Sequence, residues 1–526
     1  LVASLKKAAA LADIPMPRRP WLDELGKAYD LMLLQNRTDE ALILGVKDLP
    51  KQQRQEIVTF NPDDDGNLAI YGTGGSGKTV ALRTLACAAA VTPRGGPINV
   101  YCLDFAAGGL KMLELLPHVG AVISGDDSER VVRLLRMLRD LADRRTREFP
   151  ANVGSITEYR ALADRPDEPR VLLLLDGFGA FRDQWESGAG RAQWYGVFQQ
   201  LLSEGRRLGI HVVFTADRPA SVPGAVASSV PRRVVLRLAE DTMYTSLDVK
   251  SDVLGPHSPP GRTLVDGEET QIAIYGGSGN VADQFQAIRK HAQSIERHGR
   301  IPAPGVGALP TVVSLDTLPR QVEGQPVLGI SDENLEPIGF APSGTFLVGG
   351  GPLSGRSNAL AVLALSLRHF DPDTYLVFLG NHHSRLPGLL DWDDLATAPE
   401  QVTELARKVT ARMESSTRDK CVVVVESLSD FTSAPTDTAL IDLVKAAKRS
   451  DHLVIAEAET SAWQASYSLF GQIKSGRHGI LLQPDTNDGD IILKTPFPRV
   501  SRSEFPPGRG LLVERGKVVR VQLPLV

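Results

Sequence analysis

The chain has 526 residues, enough for about two to four domains that each bury a core of their own. Its formal net charge of −5 excludes the basic excess that is typical of dedicated nucleic-acid-binding proteins. The three cysteines are too few and too scattered for a disulfide framework, so we expect buried free thiols and a reducing compartment.

The first forty residues are predicted to be a lead-in rather than a domain. Residues 1–40 begin with a polar, helical stretch, and the segment from Met16 to Trp21 has the proline spacing of an extended linker. The chain opens on Leu1 rather than methionine, so we expect it to be an excised part of a longer protein. Because no apolar run reaches the roughly 20 residues of a membrane-spanning helix, an anchor would lie in another portion.

A phosphate-binding loop is predicted after the apolar strand Leu68–Tyr71. Its eight residues follow the pattern G-x-x-x-x-G-K-[ST], and an Ala- and Leu-rich helix comes next. The glycines let backbone N–H groups close around phosphate oxygens, and the helix N-terminus adds partial positive charge. We expect Lys78 to reach the β- and γ-phosphates and Thr79 to bind Mg²⁺. The predicted ATP site comprises Gly72, Thr73, Gly74, Gly75, Ser76, Gly77, Lys78 and Thr79.

An acidic residue at the end of a later strand completes this prediction. The apolar run 171–175 leads into Asp176, where a Walker-B carboxylate would hold magnesium-bound water. Many motor ATPases place a water-activating glutamate at the next position, which here is Gly177. We therefore predict nucleotide binding with slow or absent hydrolysis. The nearby carboxylates that remain open as substitutes are Asp183, Glu186 and Asp217.

Three residues near the next strand, Ile210–Phe214, are candidates for a catalytic role. Thr215 ends the strand and is placed to sense the γ-phosphate, although a plain strand-terminal threonine explains it equally well. Arg206 and Arg207 precede the strand, and in a ring of such domains one of them could act as an arginine finger on a neighbour's phosphate. A solvated basic face is the alternative for both arginines.

The second half of the chain repeats these features in the same order, which indicates a tandem duplication. A glycine loop returns at residues 350–357, between an apolar strand and a helix. The third strand of each copy ends in an acid, Asp176 or Glu426, and the phrase Pro-Pro-Gly-Arg occurs at Pro259 and again at Pro506. Apolar strands that alternate with helices predict parallel sheets covered on both faces. The predicted fold class is α/β, with two tandem P-loop NTPase domains, each a mainly parallel sheet flanked by helices.

The predicted domains are 41–300, with the intact loop, and 301–526, with a degenerate one; the boundary falls in the Pro/Gly-rich stretch from Ile301 to Pro310. In the second loop Arg356 replaces the lysine, Glu426 replaces the aspartate and Pro352 removes a backbone donor. We expect a catalytically dead site in which nucleotide is either trapped or absent. Its candidate residues are Gly350, Gly351, Ser354, Gly355, Arg356, Ser357, Asn358 and Glu426.

The segments 205–211 and 215–219 resemble the signature G-R-x-x-G-I-H…A-T-Q-R-P of FtsK/SpoIIIE translocases, with Asp217 in place of the usual glutamine. Tandem copies that lack the catalytic acid are similar to EccC (EssC in Firmicutes), the membrane ATPase of type VII secretion. Such proteins have transmembrane helices and three ATPase domains, and this chain resembles the second and third. The resemblance implies two FtsK/RecA-like domains that work in the cytoplasm at the inner face of the cell membrane, within a larger membrane protein or complex.

The resemblance also implies partners. The last ATPase domain of such proteins is similar to a receptor for the C-terminal signal helix of small WxG-type helical substrates, which is read by apolar side chains in a groove. A neighbouring ATPase domain or membrane subunit of the same machine is a second expected partner, and a homo-oligomer is left open. Apolar residues at helical spacing are more often core than groove. The candidate groove residues are Leu389, Leu390, Trp392, Trp463, Tyr467, Leu469 and Phe470.

The leading hypothesis is a regulatory module that binds ATP with Mg²⁺, hydrolyses it weakly or not at all, and recognises secretion substrates through the second domain. The alternative of another class is an FtsK-like double-stranded DNA translocase. Three features argue against it: the negative net charge, the lack of a water-activating glutamate after the Walker-B acid, and the lack of a basic winged-helix tail. A scaffold that nucleotide merely stabilises is the third hypothesis.

Overall fold

The computed structural model of the chain describes residues 1–14, 22–34, 38–90, 96–188, 190–297, 301–415, 420–433, 435–498, 500 and 502–526. The linker predicted from Met16 to Trp21 lies outside these residues. Two compact units, Leu1–Val306 and Gly307–Val526, divide the chain. The domain bounds 41–300 and 301–526 stay a prediction. Within the described ranges, no helix combines the length and the apolarity needed to cross a bilayer.

One ten-stranded sheet forms the centre of the first unit, as far as the described residues show. Its strands are β1 (Leu42–Leu49), β2 (Arg54–Phe60), β3 (Leu68–Tyr71), β4 (Ile98–Asp104), β5 (Val119–Ser124), β6 (Arg170–Asp176), β7 (Ile210–Ala216), β8 (Arg232–Leu236), β9 (Arg262–Val265) and β10 (Glu268–Ile272). Its helices are α1 (Val2–Leu11), α2 (Pro62–Asp65), α3 (Lys78–Ala90), α4 (Ser128–Glu148), α5 (Ile156–Leu162), α6 (Phe178–Trp185), α7 (Ala192–Glu204), α8 (Gly224–Ser228), α9 (Asp241–Ser246) and α10 (Val281–Arg297).

The strands of this sheet lie in the order β2-β1-β10-β9-β8-β3-β7-β6-β4-β5. From β8 to β5 they run parallel, whereas β9, β10, β1 and β2 extend one side in antiparallel pairing. The side chains of α3 and α10 pack on one face, and those of α4, α6 and α7 pack on the other. Both faces of the central strands are covered, so these strands are mainly apolar. Because they run parallel, their carboxyl ends share one edge.

A second sheet, of eleven strands among the described residues, forms the centre of the second unit. Its strands are β11 (Gln321–Val322), β12 (Gln325–Ser331), β13 (Pro337–Gly339), β14 (Gly344–Gly350), β15 (Tyr375–Leu379), β16 (Asp394–Ala396), β17 (Cys421–Val425), β18 (Leu453–Glu459), β19 (Gly479–Leu482), β20 (Arg509–Glu514) and β21 (Lys517–Gln522). Its helices are α11 (Arg356–Phe370), α12 (Pro399–Ser415), α13 (Thr436–Arg449), α14 (Thr460–Trp463) and α15 (Ser468–Lys474).

The two sheets have the same strand order. The second runs β11-β12-β21-β20-β19-β14-β18-β17-β15-β16, with β13 paired to β12 as β2 is paired to β1. In the first unit, β3 leads into the glycine loop, lies beside β7, and is followed in the sheet by β6, which leads to Asp176. In the second unit β14, β18 and β17 have the same arrangement, and β17 leads to Glu426. The predicted repeat and the α/β class with mainly parallel sheets are therefore confirmed.

A buried group of charged and polar side chains lies at the amino ends of the parallel strands of the first sheet. Arg170 at the start of β6 forms an ion pair with Asp63, and its Nη1 lies 3.1 Å from His211 Nε2. His211 Nδ1 lies 2.8 Å from the carbonyl oxygen of Gly66. Because a guanidinium only donates, Nε2 accepts and the proton sits on Nδ1. Burial, reinforced by the charge of Arg170, lowers the pKa of His211 to about 3, so the ring is neutral in the fold.

We expect acidification from about pH 7 to about pH 5 to destabilise the first unit. The unfolded imidazole takes up a proton near its ordinary pKa of 6.5, whereas the folded ring does so only near 3. The free energy of unfolding should therefore fall below pH 6.5 by up to about 1.4 kcal/mol per pH unit. The measurement is urea unfolding of the wild type and of His211→Gln at both pH values. Equal losses of stability in the two proteins would contradict the assignment.

Candidate functional site

The first glycine loop connects β3 to α3 and is held from behind by a later segment of the chain. The amide of Gly261 donates to the carbonyl oxygen of Ser76 at 2.8 Å. Gly77 has φ +112°, and a Cβ at this position would lie 2.8 Å from the Gly261 nitrogen. Glycine is therefore required here both for the backbone angle and for the close approach. The Pro-Pro-Gly-Arg segment, to which the sequence prediction assigned no function, packs against the back of the loop.

The front of this loop has room for a polyphosphate. A Cβ added at Gly74 or Gly75 would meet no atom within 4 Å. The buried hydroxyl of Ser76 has no hydrogen-bond partner among the described residues. Phosphate groups require hydrogen-bond donors, which the Ser76 hydroxyl and the backbone N–H groups at the start of the 13-residue helix at Lys78 can supply. ATP fits this loop chemically, and the residues that would hold its phosphates are those predicted from Gly72 to Thr79.

The predicted magnesium ligands lie in contact. Thr79 Oγ1 donates to Asp176 Oδ2 at 2.7 Å, and Thr215 Oγ1 donates to Asp176 Oδ1 at 2.6 Å. Burial raises the pKa of the Asp176 carboxyl, while these two hydrogen bonds oppose that effect. A threonine hydroxyl and a carboxylate at this position can hold Mg²⁺ against the β- and γ-phosphates of a nucleotide. Thr215 is thus a neighbour of the predicted metal ligand.

Lys78 is held by groups of the loop and by a carboxylate that follows β7. Its Nζ donates to the carbonyl oxygens of Gly72 and Thr73 at 2.7 and 2.9 Å. The third contact is an ion pair with Asp217 Oδ1 at 2.8 Å. Of the three carboxylates left open as substitutes for the missing glutamate, Asp217 is the one that reaches the loop, whereas Glu186 forms an ion pair with Arg182 on α6.

The backbone at Gly177 disfavours a larger residue, such as a water-activating glutamate. It has φ +87°, and its amide donates to Thr215 Oγ1 at 2.8 Å. A Cβ at this position would lie 3.0 Å from the carbonyl oxygen of Phe105. A glutamate here would be strained by the left-handed backbone and crowded by a rigid carbonyl group.

The structure places Arg206 and Arg207 away from the phosphate loop. Both precede β7, at the amino end of the parallel strands, whereas the loop follows the carboxyl end of β3. Arg206 Nε donates to the carbonyl oxygen of Asp63 at 2.6 Å. Arg207 Nε donates to the carbonyl oxygen of Val153 at 2.9 Å. They cannot complete the phosphate site of their own unit, because a parallel sheet separates its two strand edges. A role toward a neighbouring molecule stays a prediction.

The basic residue of the second loop is engaged by two acids. Arg356 Nη1 lies 2.7 Å from Glu457 Oε1, and Nη2 lies 3.3 Å from Glu459 Oε1. The side chain of Glu457 is only 5% exposed, and burial raises its pKa. Ser357 Oγ donates to Glu426 Oε1 at 3.1 Å, as Thr79 does to Asp176 in the first unit. The geometry of the phosphate loop is preserved here, but its cation already has anionic partners.

The strand register explains where these acids come from. Gly350 pairs with Glu459 and Val348 pairs with Glu457 along β14 and β18. In the first unit Ile70 pairs with Thr215, and Asp217 comes two residues later. Glu457 therefore stands at the position of Thr215, and Glu459 at that of Asp217. The sequence prediction missed both glutamates, although aligning the two copies through the segments that begin at Gly205 and Ala447 would have shown them.

The seven predicted groove residues do not form one groove. Trp463, Leu469 and Phe470 are buried in the core on the side of α12 and α13. Leu390 and Trp392 pack against the cluster on the opposite face, beside α11. Because Trp463, Leu469 and Phe470 are fully buried, they are not available to contact a peptide, and that part of the prediction is corrected. Leu389 and Tyr467 are 55% and 54% exposed and stay candidates.

Another residue missed from the sequence is Asp104, at the end of β4. It pairs in register with Asp176 on β6, so two acids lie side by side at the same sheet edge. Its carboxylate accepts backbone N–H groups of Ala106, Gly108 and Leu110 at 3.0 to 3.2 Å. Asp104 thus fixes the loop after β4, and the signal for it was its position at a strand end before a glycine-containing turn.

Comparison with known proteins finds similarity to ATPases of secretion systems. Residues 31–249 match the FtsK/SpoIIIE family. The ESX secretion system protein YukB of Bacillus subtilis is 25% identical over 96% of this chain and 35% of its own length. The ESX secretion system protein EccC of Thermomonospora curvata is 26% identical over 91% of this chain and 39% of its own length. The chain therefore spans little more than a third of these two relatives.

Solved structures show the same fold. Thermomonospora curvata EccC (ATPases 2 and 3) in complex with a signal sequence peptide superposes with a TM-score of 0.72 at 22% identity, covering 97% of both chains. EssC (ATPases 2 and 3) from Geobacillus thermodenitrificans gives 0.71 at 20% identity, covering 97% of this chain and all of that one. The predicted resemblance to tandem ATPase domains of the EccC/EssC type is confirmed.

The ion pair in the second loop yields a stability prediction. Arg356→Met leaves Glu457 buried without its cation, so the second unit should lose about 2–3 kcal/mol. Glu457→Gln in the same chain removes the buried charge and should recover most of the loss. The measurement is chemical unfolding of the wild type, the two single variants and the double variant. Additive losses in this cycle would show that the two side chains do not interact.

Proposed function

We propose that this chain, whose residues 31–249 form an FtsK/SpoIIIE domain, is a nucleotide-binding and substrate-recognising module of a type VII secretion ATPase. The observation that carries the nucleotide part is the loop of the first unit, where an open glycine turn, Lys78 and the Thr79–Asp176 pair lie together. These residues would bind ATP with Mg²⁺, the ion neutralising charge on the phosphates. The second loop would bind nucleotide weakly or not at all, because Arg356 is paired with the buried Glu457, whereas the carboxylate that pairs with Lys78 is exposed.

Lys78→Ala should abolish nucleotide binding at the first loop. The ammonium group is the only cationic side chain within the predicted loop, and its loss should weaken affinity by at least about tenfold. Fluorescent-nucleotide titration of the variant measures this, with Lys250→Ala as the control that makes the same change of charge at an exposed site. Unchanged nucleotide affinity in Lys78→Ala would show that this loop does not form the nucleotide site.

Hydrolysis is proposed to be slow. Gly177 supplies no base, and the buried Asp176 carboxyl is already engaged by two hydroxyl groups. The function proposed for bound nucleotide is therefore to stabilise the module and regulate a neighbouring motor rather than to drive translocation. Brisk turnover that Asp176→Asn abolishes would overturn this part. Turnover that double-stranded DNA stimulates would favour the alternative function, a DNA translocase.

Gly177→Glu should not create an efficient ATPase. The backbone at this position is left-handed and faces the Phe105 carbonyl group, so the variant should lose about 1–2 kcal/mol and hold its carboxylate in an unsuitable position. Phosphate release and thermal unfolding are the measurements. Gly179→Glu on α6 is the matched control, because its nearest neighbour would lie 3.6 Å from the new Cβ. Rapid turnover in Gly177→Glu would show that the missing side chain alone limits hydrolysis.

Recognition of a secreted substrate is the second part of the proposal. It is supported by the likeness to an EccC structure that contains a signal sequence peptide. It is supported also by exposed apolar side chains in the second unit. The expected ligand is the C-terminal signal helix of a small helical protein, bound by its apolar face. The machine partner would be an adjoining ATPase domain or membrane subunit at the cytoplasmic face of the membrane.

Peptide binding can be assigned to one face of the second unit. Leu389 belongs to the segment that packs beside α11, whereas Tyr467 borders the opposite core through Phe470. Leu389→Asp should weaken binding of a labelled signal peptide by about tenfold if the groove lies on the first face. Tyr467→Ala tests the other face in the same titration. If the wild type binds the peptide and neither substitution weakens binding, the predicted groove residues do not form the peptide site. If the wild type does not bind the peptide, the receptor function is refuted.

A further inference from the structure

Each phosphate loop of this protein has a carboxylate at the end of the neighbouring strand that contacts the basic residue of the loop. In the first unit the contact joins Lys78 Nζ and Asp217 Oδ1 at 2.8 Å. In the second unit it joins Arg356 Nη2 and Glu459 Oε1 at 3.3 Å. Asp217 and Glu459 occupy the same position of the repeated fold, as the register of β3 with β7 and of β14 with β18 shows. The loop cation therefore has a built-in anion in both copies.

The two anions differ in how easily they can be displaced. The side chain of Asp217 is 76% exposed, and that of Lys78 is 12% exposed. An ion pair with one such exposed member contributes little free energy, because water solvates the carboxylate well. In the second unit a further carboxylate, Glu457, contacts the same arginine and is 5% exposed, so the pair is costly to break. A phosphate group can compete for Lys78 but not for Arg356.

We infer that Asp217 is a specificity-determining residue that makes the first site select a nucleoside diphosphate over a triphosphate. This inference rests on the proposed nucleotide binding at the first loop. The lysine of such a loop contacts the β- and γ-phosphates. Asp217 holds a negative charge within 2.8 Å of this ammonium group, where the third phosphate would bring further negative charge. Repulsion between the two anions weakens triphosphate binding and leaves the contacts of the first two phosphates in place.

The direct hydrogen-bond contacts of Lys78 and Asp176 bring no further positive charge. The Asp176 carboxylate is shared between the hydroxyl groups of Thr79 and Thr215 and adds a second negative charge at the same sheet edge. The other two contacts of Lys78 Nζ are backbone carbonyl oxygens, which carry no compensating positive charge. Among the described residues, Lys78 and Arg83 are the cations near this edge, and Asp217, Asp176 and Asp104 are the carboxylates, so negative charges outnumber positive ones.

The test compares ADP with the non-hydrolysable triphosphate AMP-PNP, both with equal Mg²⁺, by calorimetric titration of the whole chain. The wild type should bind ADP about threefold more tightly, and Asp217→Asn should gain about threefold in affinity for AMP-PNP with little change for ADP, because the exposed carboxylate is screened by water. Asp143→Asn, an exposed position on α4, is the control for the same change of net charge. Thermal unfolding of each variant verifies that the fold is retained.

Each outcome has a defined meaning. Restored triphosphate affinity in Asp217→Asn alone supports the inference. Equal affinities of the wild type for the two nucleotides, or a preference that the substitution does not change, overturns the inference while the proposed nucleotide binding stands. Failure of the wild type to bind either nucleotide refutes the proposed function, and the inference with it.

Discussion

The parallel pairing of β3 with β7, and of β7 with β6, is the constraint on which the candidate site depends. It brings the ends of three strands to one edge, so that Gly72, Asp176 and Asp217 lie within reach of Lys78 and Thr79 on α3. The strands are buried on both faces and are held by their apolar side chains. A rigid sheet of this kind positions polar side chains at its edge more precisely than a loop could.

The duplicated unit shows how such an edge can change while the fold persists. Both loops are held from behind by the amide of the Pro-Pro-Gly glycine, at 2.8 Å in the first unit and 2.9 Å in the second. The side chains around this shared geometry differ: Glu457 stands in place of Thr215 and adds a negative charge, and Arg356 stands in place of the loop lysine with the same charge. The strand position that offers a hydroxyl group in the first unit offers a carboxylate in the second. The phosphate loop of the second unit has thus become part of an internal ion pair, which favours a structural or recognition role for that unit.

The proposed nucleotide site and the proposed substrate site belong to different units of the chain. A site that holds nucleotide without a water-activating base is suited to regulation, since occupancy changes stability rather than chemistry. The second unit, whose loop cation is already neutralised, keeps exposed apolar side chains at Leu389 and Tyr467. Because these two residues belong to different faces of the sheet, a single helical ligand would select one of them.

The sequence by itself determined the α/β class, the repeat, the glycine loop from Gly72 to Thr79 and the acid Asp176, because each depends on local periodicity or on residues adjacent in the chain. It could not determine the contacts of Lys78 with Asp217 or of Arg356 with Glu457, since these residues are far apart in sequence and meet only through strand register. Burial of Trp463 and Phe470, and the position of Arg206 at the opposite strand edge, were likewise decided by packing. Tertiary structure decided them because which face or edge a side chain occupies depends on the neighbouring strands and helices.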